Sequence, residues 1–268
     1  MSPNGLKSIT IFGLQEVPFG YNDAIIPKNY EKQVMKHIKE FSRFAKDYKN
    51  YSTIQQNVAL NLLNLIPKSW NLKRVVDIGC GDGMIYRLLR SRGYKIECFI
   101  GTDYATNMLS LHPIGDNVIA IEADFNQLPP TVLTKCKADV VISSSALQWS
   151  MDLDKTISNL KSISNRFAYA IFTSNTFKSL LECANVPSPI YTKESIINTL
   201  QNSFKNPQIV IQNMTMEFES VEEMLRYIKR SGISGGRGLL GYKDIKRVIK
   251  EYDKNYLEFE ILYVTAEI

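Results

Sequence analysis

The sequence predicts an α/β fold in which helices cover both faces of a mostly parallel sheet. Between residues 73 and 172, five short apolar runs, mostly rich in β-branched residues, alternate with helical or turn-like segments. Strands joined in this way form right-handed crossovers, which produce a parallel sheet. Two later apolar runs, 207–218 and 257–266, predict a pair of strands added at one side of that sheet.

The predicted elements follow in order along the chain. Residues 1–40 contain turn residues without a sustained period, and we expect a peripheral arm there. From 41 to 66 apolar residues recur every three or four positions, which predicts a helix that Pro67 ends. The five strands are predicted in "KRVVDIG", "IECFIGTD", "NVIAIEAD", "ADVVISS" and "RFAYAIF". Helices are predicted in "GMIYRLLRSRG", closed by Gly93, and, between the two late strands, in "SVEEMLRYIKRSG". Short helices or loops are expected between the other strands, including "DLDKTISNLKSI".

The composition excludes several classes of protein. With 268 residues, 44% of them hydrophobic, the chain is long and apolar enough to build a real core. No apolar run approaches the ~20 residues of a membrane helix, and the N-terminus lacks the pattern of a signal peptide. Four cysteines without a C-x-x-C pair and only two histidines argue against a metal site. We expect reduced thiols and a cytoplasmic location, while the net charge of +5 permits an acidic partner without requiring one.

The stretch "VVDIGCGDG", residues 75–83, joins the first strand to a glycine-rich loop. Such a junction lets a ligand approach the backbone at the carboxyl ends of the strands. A dinucleotide fingerprint requires its third glycine where Met84 stands, and the Gly-Lys-Ser/Thr of a phosphate-binding loop is absent. Asp77 and Asp82 flank the loop, and their negative charge favours a cationic ligand, such as a sulfonium with an ammonium group, over a pyrophosphate.

The ends of the next strands carry polar residues in the same way. Asp103 ends the second strand, where a carboxylate can accept hydrogen bonds from both ribose hydroxyls of a nucleoside. Asp124 ends the third strand beside the position expected for an adenine edge, and Phe125 is placed to flank the ring. Ser143 and Ser144 end the fourth strand. The ordered set favours a nucleoside site over the alternative, an ordinary tight loop in an unrelated α/β fold.

Four segments, "VVDIGCGDG", "GTDYATNML", "EADFNQLP" and "ADVVISSSALQW", resemble the class I S-adenosylmethionine-dependent methyltransferases. The resemblance implies a Rossmann-like fold with helices on both faces, helical lid elements and a seven-stranded, mostly parallel sheet whose last strand is antiparallel. It implies S-adenosyl-L-methionine as cofactor, bound by Asp77, Gly79, Cys80, Gly81, Asp103, Tyr104, Met108, Ala123, Asp124, Phe125, Ser143 and Ser144. Cys80 itself is interpreted as a small backbone-facing residue and not as a nucleophile.

The same resemblance divides the chain into an N-terminal arm, 1–40, and one methyltransferase domain, 41–268. Within the domain we expect the first helix at 41–66, the cofactor-binding half at 73–172, lid and substrate elements at 173–256 and the last strand at 257–268. The arm has no counterpart that we can place in the family. The segment "TSNTFKSLLECANVPSPIYTKES" is also shorter and more polar than the usual lid helix.

Three longer stretches resemble one subfamily, the malonyl-acyl carrier protein O-methyltransferases of biotin synthesis. They are "FSRFAKDYKNYSTIQQNVALNLL", "SSSALQWSMDLDKTISNL" and "SVEEMLRYIKRSGISGG", and the resemblance covers roughly residues 41–268. It implies O-methylation of the free carboxylate of a malonyl thioester on acyl carrier protein or coenzyme A. The resulting ester hides a charge whose burial in the apolar pockets of fatty-acid enzymes is costly, and it starts pimeloyl assembly.

This reaction requires no general base, because a malonyl carboxylate with a pKa near ~4 is already an anion at neutral pH. His37 and His112 accordingly lie outside the cofactor motifs, where surface or structural roles are expected. The carboxylate loses charge in the transition state, so a neutral donor is a better clamp than an arginine. Tyr48 is the first candidate for this catalytic role and Gln148 the second. For Tyr48, simple packing of the first helix is the alternative.

Further residues are predicted to contact the substrate or its carrier. Gln55 and Trp149 are placed near the substrate, although a solvated helix position and a core position remain alternatives. Arg226 and Lys229 share one helix face, and Arg237 follows in the glycine-rich "SGISGGRGLLGYK". Arg226 and Lys229 are predicted to dock an acidic carrier protein, with a solvated helix face as the alternative. The loop that carries Arg237 is predicted to admit the pantetheine arm of the carrier, with a plain flexible connector as the alternative.

Nucleic acid and membranes are not expected as partners. The Asn/Asp-Pro-Pro-Tyr motif of amino-methylating DNA enzymes is replaced by "SSSALQW", and no Pro-Cys dipeptide serves a cytosine-directed nucleophile. Three other functions stay open from the sequence. They are a carboxyl methyltransferase acting on a free small acid, a tRNA or rRNA methyltransferase, and an S-adenosylmethionine-binding regulator without catalysis.

Overall fold

A computed structural model describes residues 51–128, 137–231 and 239–268. The predictions for the arm, for most of residues 41–52, for Tyr48 and for Arg237 therefore lie outside the described residues. Within them, one seven-stranded sheet has the order β3-β2-β1-β4-β5-β7-β6. No helix among these residues is long and apolar enough to cross a membrane.

The bounds of the seven strands lie close to those predicted from the sequence, whereas only some of the helices were predicted individually. The strands are β1 Arg74–Ile78, β2 Cys98–Asp103, β3 Val118–Glu122, β4 Val140–Ser144, β5 Arg166–Phe172, β6 Gln208–Glu217 and β7 Tyr256–Glu267. The helices are α1 Thr53–Leu65, α2 Met84–Ser91, α3 Thr106–Leu109, α4 Leu153–Leu160, α5 Lys178–Ala184, α6 Lys193–Ser203, α7 Val221–Arg230 and α8 Tyr242–Glu251. Short 3-10 turns lie at Phe125–Gln127 and Leu147–Trp149.

The predicted strand directions are confirmed. Strands β1 to β5 pair in parallel, while β7 runs antiparallel to both β5 and β6. Strand β1 is flanked by β2 on one side and by β4 on the other, so the order of the strands reverses at β1. The crevice for a ligand in such a sheet opens at this reversal, beyond the carboxyl ends of the strands.

Both faces of the central strands are buried, because successive strand residues point to opposite sides and helices cover each side. Val75 of β1 packs in a core with α1, α2, α5, α7 and α8. Its neighbour Val76 packs in a second core with α4 and α6. Four of the five residues of β1 are buried, as expected for a central strand with helices on both sides.

Two local features depart from the predicted helix pattern. The helix predicted over 41–66 is interrupted at Ser52, and α1 begins at Thr53. It ends at Leu65, with Ile66 extended because the ring of Pro67 disfavours a helical residue before it. The polar segment after β5 also forms two helices, α5 and α6, and α6 had not been predicted. Its signal was present in the sequence, since the Thr192 side chain caps the backbone N–H of Ser195 at the start of α6.

Candidate active site

The glycine loop after β1 turns its backbone toward the crevice. Gly79, Gly81 and Gly83 all have positive φ angles, which L side chains rarely adopt. The backbone N–H groups of Gly79 and Cys80 donate to the carbonyl of Thr102, which ties the loop to the end of β2. A Cβ atom added at Gly79 would lie 2.2 Å from the Cβ of Ala146, so this position is closed to any side chain.

Asp103 holds the same loop from the end of β2. Its carboxylate accepts the backbone N–H of Gly81 through Oδ2 and that of Ala105 through Oδ1, both at 2.8 Å. Each oxygen keeps a further lone pair for a ligand. Burial raises the pKa of Asp103, although backbone hydrogen bonds from Ala105, Gly81 and Tyr104 act in the opposite direction. Asp103 therefore supports the loop and can also accept hydrogen bonds from the hydroxyl groups of a ligand.

Asp77 lies beneath the loop with a carboxylate that has no partner. The side chain is buried, and neither of its oxygens has a hydrogen-bond partner among the described residues. Burial raises the pKa of Asp77 well above its usual value, and the charge of Asp103 raises it further. Two crowded acidic groups, one of them unsatisfied, favour a bound cation.

The electrostatic prediction for the loop needs one correction. The carboxylate of Asp82 forms an ion pair with Arg87 at 2.6 Å and is buried there, so its charge is already compensated. The negative potential of the crevice therefore comes from Asp77 and Asp103 rather than from Asp77 and Asp82. The sequence spacing already permitted this ion pair. Arg87 lies five residues after Asp82, and an arginine on the first turns of a helix can reach back to a residue before the helix.

A second, small cavity, which we call the substrate pocket after the role proposed for it below, lies beside the crevice and is partly open to solvent. Its lining consists of Gln148, Trp149, Phe172, Thr176, Phe177, Leu181, Ser188, Pro189, Ile190 and Leu239. No charged side chain lines it among the described residues. The turn Ala146–Trp149 connects the two sites, because Ala146 abuts the glycine loop and Gln148 lines the pocket.

Comparison with known proteins identifies the group to which this architecture belongs. A family model described as "Methyltransferase domain" matches residues 71–234, which is more than half of the chain. The chain belongs to this family.

Individual relatives and solved structures agree with the family. Malonyl-[acyl-carrier protein] O-methyltransferase from Geobacter sulfurreducens is 25% identical over 81% of this chain and 89% of the relative. The protein of the same name from Neorickettsia risticii is 25% identical over 78% and 86%. The crystal structure of YcgJ from Bacillus subtilis has a similar fold, with a TM-score of 0.57, 13% identity, and coverage of 78% of this chain and 97% of that one.

S-adenosyl-L-methionine is the cofactor of this methyltransferase, and the crevice fits it. The unpartnered carboxylate of Asp77 suits the cationic end of the molecule, and Asp103 has lone pairs for ribose hydroxyls. The side chain of Met108 is the nearest group to Gly81, with its methyl 3.6 Å from the position of an added Cβ atom, which leaves the outer side of the loop open. When bound, the cofactor supplies a methyl group on a sulfonium centre.

The other predicted cofactor residues occupy varied positions at the same edge of the sheet. Asp124 accepts hydrogen bonds from the backbone and side chain of Asn126 and thereby caps the turn that carries Phe125. Ala123 is buried and Tyr104 is exposed. The hydroxyl of Ser144 is buried without a partner in the described chain. That of Ser143 donates to the carbonyl of Ile78, so it is used inside the sheet.

The surroundings of Cys80 and His112 indicate structural rather than catalytic roles. Burial raises the pKa of the Cys80 thiol well above its usual value, which disfavours the thiolate and agrees with a filling role. The His112 ring lies beneath the loop, where Cβ atoms added at Gly83 or Gly101 would lie 2.7 Å and 3.1 Å from it. Burial lowers the pKa of His112, so a neutral imidazole supports the loop.

Of the two catalytic candidates, only Gln148 lies among the described residues. Tyr48 lies outside the described residues. Gln148 is buried, and its Nε2 donates to the carbonyl of Ser145 at 2.7 Å, while its Oε1 has no partner in the described chain. Ser145 has a positive φ of 65°, so a strained backbone carbonyl orients the amide. Trp149 lines the same pocket, a position that the sequence had left open beside a core position.

Sequence reasoning missed Ser188, whose hydroxyl is buried in the same pocket without a partner among the described residues. It also missed Glu260, which anchors the segment after β5. The Glu260 carboxylate accepts from the hydroxyl of Thr173 at 2.6 Å and from the amide of Asn175 at 2.9 Å. Burial acts to raise the pKa of Glu260, but these hydrogen bonds and the charge of Lys193 outweigh burial and lower the pKa below its usual value. No local motif marks either residue.

The remaining predicted substrate residues lie on α1 and α7. Gln55 is buried and donates to the carbonyl of Ser231 at 3.1 Å, so the alternative of a solvated helix position is wrong. Arg226 and Lys229 are both exposed on α7. Arg230 is held differently, because its guanidinium donates to the hydroxyl of Tyr51 at 2.7 Å and lies over that ring.

Proposed function

We propose that this methyltransferase methylates the free carboxylate of a malonyl thioester, carried by acyl carrier protein or coenzyme A. The observation that carries the proposal is the similarity over 81% of the chain to a relative named malonyl-[acyl-carrier protein] O-methyltransferase. The substrate pocket supports it, because its apolar walls and few neutral polar groups suit a short acyl chain that ends in a weakly held carboxylate.

The chemistry needs positioning rather than proton transfer. The carboxylate is an anion near neutral pH and attacks the methyl carbon directly, so no general base is required. Positioning and exclusion of water by the pocket contribute most of the rate enhancement in such a step. Because charge disappears as the ester forms, neutral donors hold the substrate without overstabilising the ground state.

Two described groups are suited to hold the carboxylate. The Ser188 hydroxyl is an unpartnered donor in the pocket, and the Gln148 amide has a second N–H beyond the one given to Ser145. Tyr48 remains a predicted third donor. The product is a neutral ester, which would let later enzymes with apolar pockets elongate the chain, as expected for biotin synthesis in the cytoplasm.

A substrate panel tests the proposal. The purified chain would be incubated with methyl-labelled cofactor and with malonyl-carrier protein, malonyl-coenzyme A, free diacids or tRNA. We expect base-labile label on the malonyl thioesters. Label on a free diacid alone would identify a small-acid carboxyl methyltransferase, and label on tRNA alone would overturn the proposal. No label on any substrate, with intact cofactor binding, would indicate a regulator.

A further inference from the structure

Helix α8 presents a row of large apolar side chains to solvent. Tyr242 is 73% exposed, Ile245 36% and Ile249 47%, whereas Val248 is the buried residue of this helix. Positions separated by three and four residues lie on one face of a helix, so the three side chains form a continuous stripe. A contiguous apolar stripe of this kind on a helix surface marks a site of interaction.

A second row of three lysines runs beside the first. Lys243, Lys246 and Lys250 each follow a member of the apolar row by one position, and all three are exposed. The two rows touch, because the Lys246 ammonium lies 4.6 Å from the centre of the Tyr242 ring. We call the two rows together the α8 surface.

The other charged groups at the start and middle of the helix are already engaged. The Asp244 carboxylate accepts the backbone N–H of Gly241 at 2.8 Å, which caps the helix. Arg247 donates to the carbonyl of Ala184 at the end of α5. Arg247 keeps its positive charge in this contact, but the lysine row supplies the three positive charges that lie directly beside the apolar row.

The α8 surface borders the substrate pocket. Leu239, three residues before Tyr242, lines the pocket. Helix α5, on which α8 packs through the Arg247 contact, contributes Leu181 to the same lining. A macromolecule bound on this surface would therefore sit next to the opening through which a tethered substrate enters.

We infer that the α8 surface docks a protein partner whose own helix carries a row of acidic residues beside a row of apolar residues. Resting on the proposed function, that partner is the acyl carrier protein that presents the malonyl group. The surface is one helix of 10 residues, about 15 Å long, which matches a single partner helix. Its position next to the pocket favours a substrate carrier over a membrane.

The structure also ranks α8 above the basic pair on α7. Arg226 and Lys229 are exposed, but α7 has no large apolar side chain among the exposed ones. Charge alone steers an encounter, whereas a buried apolar centre supplies most of the affinity. The α7 pair is therefore expected to help association, and the α8 surface to hold the complex.

The test measures carrier-protein binding and catalysis separately on the full-length chain. Calorimetry with unloaded acyl carrier protein gives affinity, and turnover is measured on malonyl-carrier protein and on malonyl-coenzyme A. The variants are Lys243→Glu/Lys246→Glu/Lys250→Glu and Ile245→Ser/Ile249→Ser. The matched controls are Lys137→Glu, an exposed lysine just before β4, and Ile119→Ser on β3, which is 43% exposed.

We expect each α8 variant to weaken carrier binding and to lower kcat/KM for the carrier-bound substrate by about tenfold or more. Turnover on malonyl-coenzyme A and affinity for the cofactor should stay unchanged, as should all properties of the two controls. The contribution of the lysine row should shrink with added salt, whereas that of the apolar row should not.

Several outcomes would overturn the inference. Normal carrier binding by both α8 variants, with loss in Arg226→Glu/Lys229→Glu, would move docking to α7. Wild-type binding to vesicles of anionic phospholipid that is lost in the lysine variant, with carrier binding intact, would identify a membrane surface. A wild-type dimer that becomes monomeric in the isoleucine variant would identify a second copy as the occupant. If the carrier binds through α8 but is not methylated, the docking surface stands and the proposed function fails.

Discussion

The cofactor crevice and the substrate pocket are adjacent, yet they are built in opposite ways. The crevice comes mainly from the ends of three consecutive strands between residues 75 and 128 and contains buried, unpartnered polar atoms such as those of Asp77. The pocket draws on segments from residue 148 to residue 239 and is walled mostly by apolar side chains. A cofactor shared by a whole family can be held by one short stretch of chain, whereas a particular substrate requires surfaces from distant segments.

The two sites also differ in charge. The crevice holds two carboxylates whose pKa values are raised, mainly by burial, so it is poised for a cation. The pocket has no charged lining side chain in the described chain, so it does not neutralise an anion. The uncharged pocket is suited to the proposed reaction, in which an anion and a cation combine into neutral products, because it does not stabilise the carboxylate too strongly before reaction.

The largest expected effect concerns the glycine loop. Gly79 and Gly93 both have positive φ angles, but an added Cβ atom clashes with Ala146 at Gly79 and meets nothing within 4 Å at Gly93. Gly79→Ala should reduce affinity for S-adenosylhomocysteine by at least about 100-fold, measured by calorimetry. Gly93→Ala carries the same backbone strain of about 1–2 kcal/mol and should bind normally. Equal losses in both variants would mean that strain, and not the contact with Ala146, controls the site.

The second-largest effect is expected at Asp103, the predicted acceptor of hydrogen bonds from the ribose hydroxyls at the end of β2. Asp103→Ala should weaken cofactor binding by about 1.5–3 kcal/mol, because hydrogen bonds to a charged group are lost. Calorimetry would report this as roughly a 10- to 150-fold change in Kd. Asp139→Asn, which alters a carboxylate paired with Arg74 at the opposite edge of the sheet, is the control. Unchanged affinity in Asp103→Ala would remove this residue from its assigned role.

A smaller effect is expected on the pocket side. Glu260→Gln keeps one acceptor oxygen but loses the charge that Thr173, Asn175 and Lys193 engage. The segment that carries Phe177 should loosen, which would raise KM for the malonyl substrate by about 3- to 10-fold, or about 1 kcal/mol. Affinity for the cofactor should not change. A loss of cofactor affinity as large as the change in KM would show that the two sites are not separable here.

The smallest effect is a pH dependence that comes from the carboxylates of the crevice. The lowered pKa of His112, beneath the loop, adds a slope of the opposite sign below its usual pKa. Because the pKa of Asp77 is raised in the fold, the ligand-free native state binds more protons than the unfolded state above the usual carboxyl pKa. Its stability should therefore fall as pH rises toward the raised pKa and level off beyond it. Cofactor affinity should change in the opposite sense, rising with pH as the carboxylate forms. Denaturant unfolding and calorimetry between about pH 5 and pH 8 would check both trends.

The variant Asp77→Asn sharpens that measurement. It should remove most of the pH slope in stability and leave the ligand-free chain at least as stable near neutral pH, because a buried unpaired charge is gone. It should also bind the cofactor weakly at every pH. A retained slope would assign the titration to Asp103 instead.

Much of the fold followed from local patterns. All seven strands were predicted, because short runs of apolar, strand-favouring residues bounded by turn residues are typical of buried strands. Gly93 was predicted to close α2, and its φ of +82° confirms a position that favours glycine. The break at Ser52 was missed because the apolar pattern of the predicted helix runs across it. Helix α6 was missed because its apolar period is weak and its only clear signal is the single capping residue Thr192.

By itself, the sequence determined the five strands of the cofactor half, the glycine loop and the acidic residue that ends β2, since each depends on neighbours within a few positions. The order of the strands in the sheet came from the tertiary structure. The tertiary structure decided which acids are unsatisfied: Asp82 is paired with Arg87, whereas Asp77 has no partner in the described chain. It also brought Glu260 to Thr173, 87 residues away, and left Tyr242, Ile245 and Ile249 exposed. Burial, pairing and pKa values depend on which distant atoms surround a group, and only the folded chain sets those surroundings.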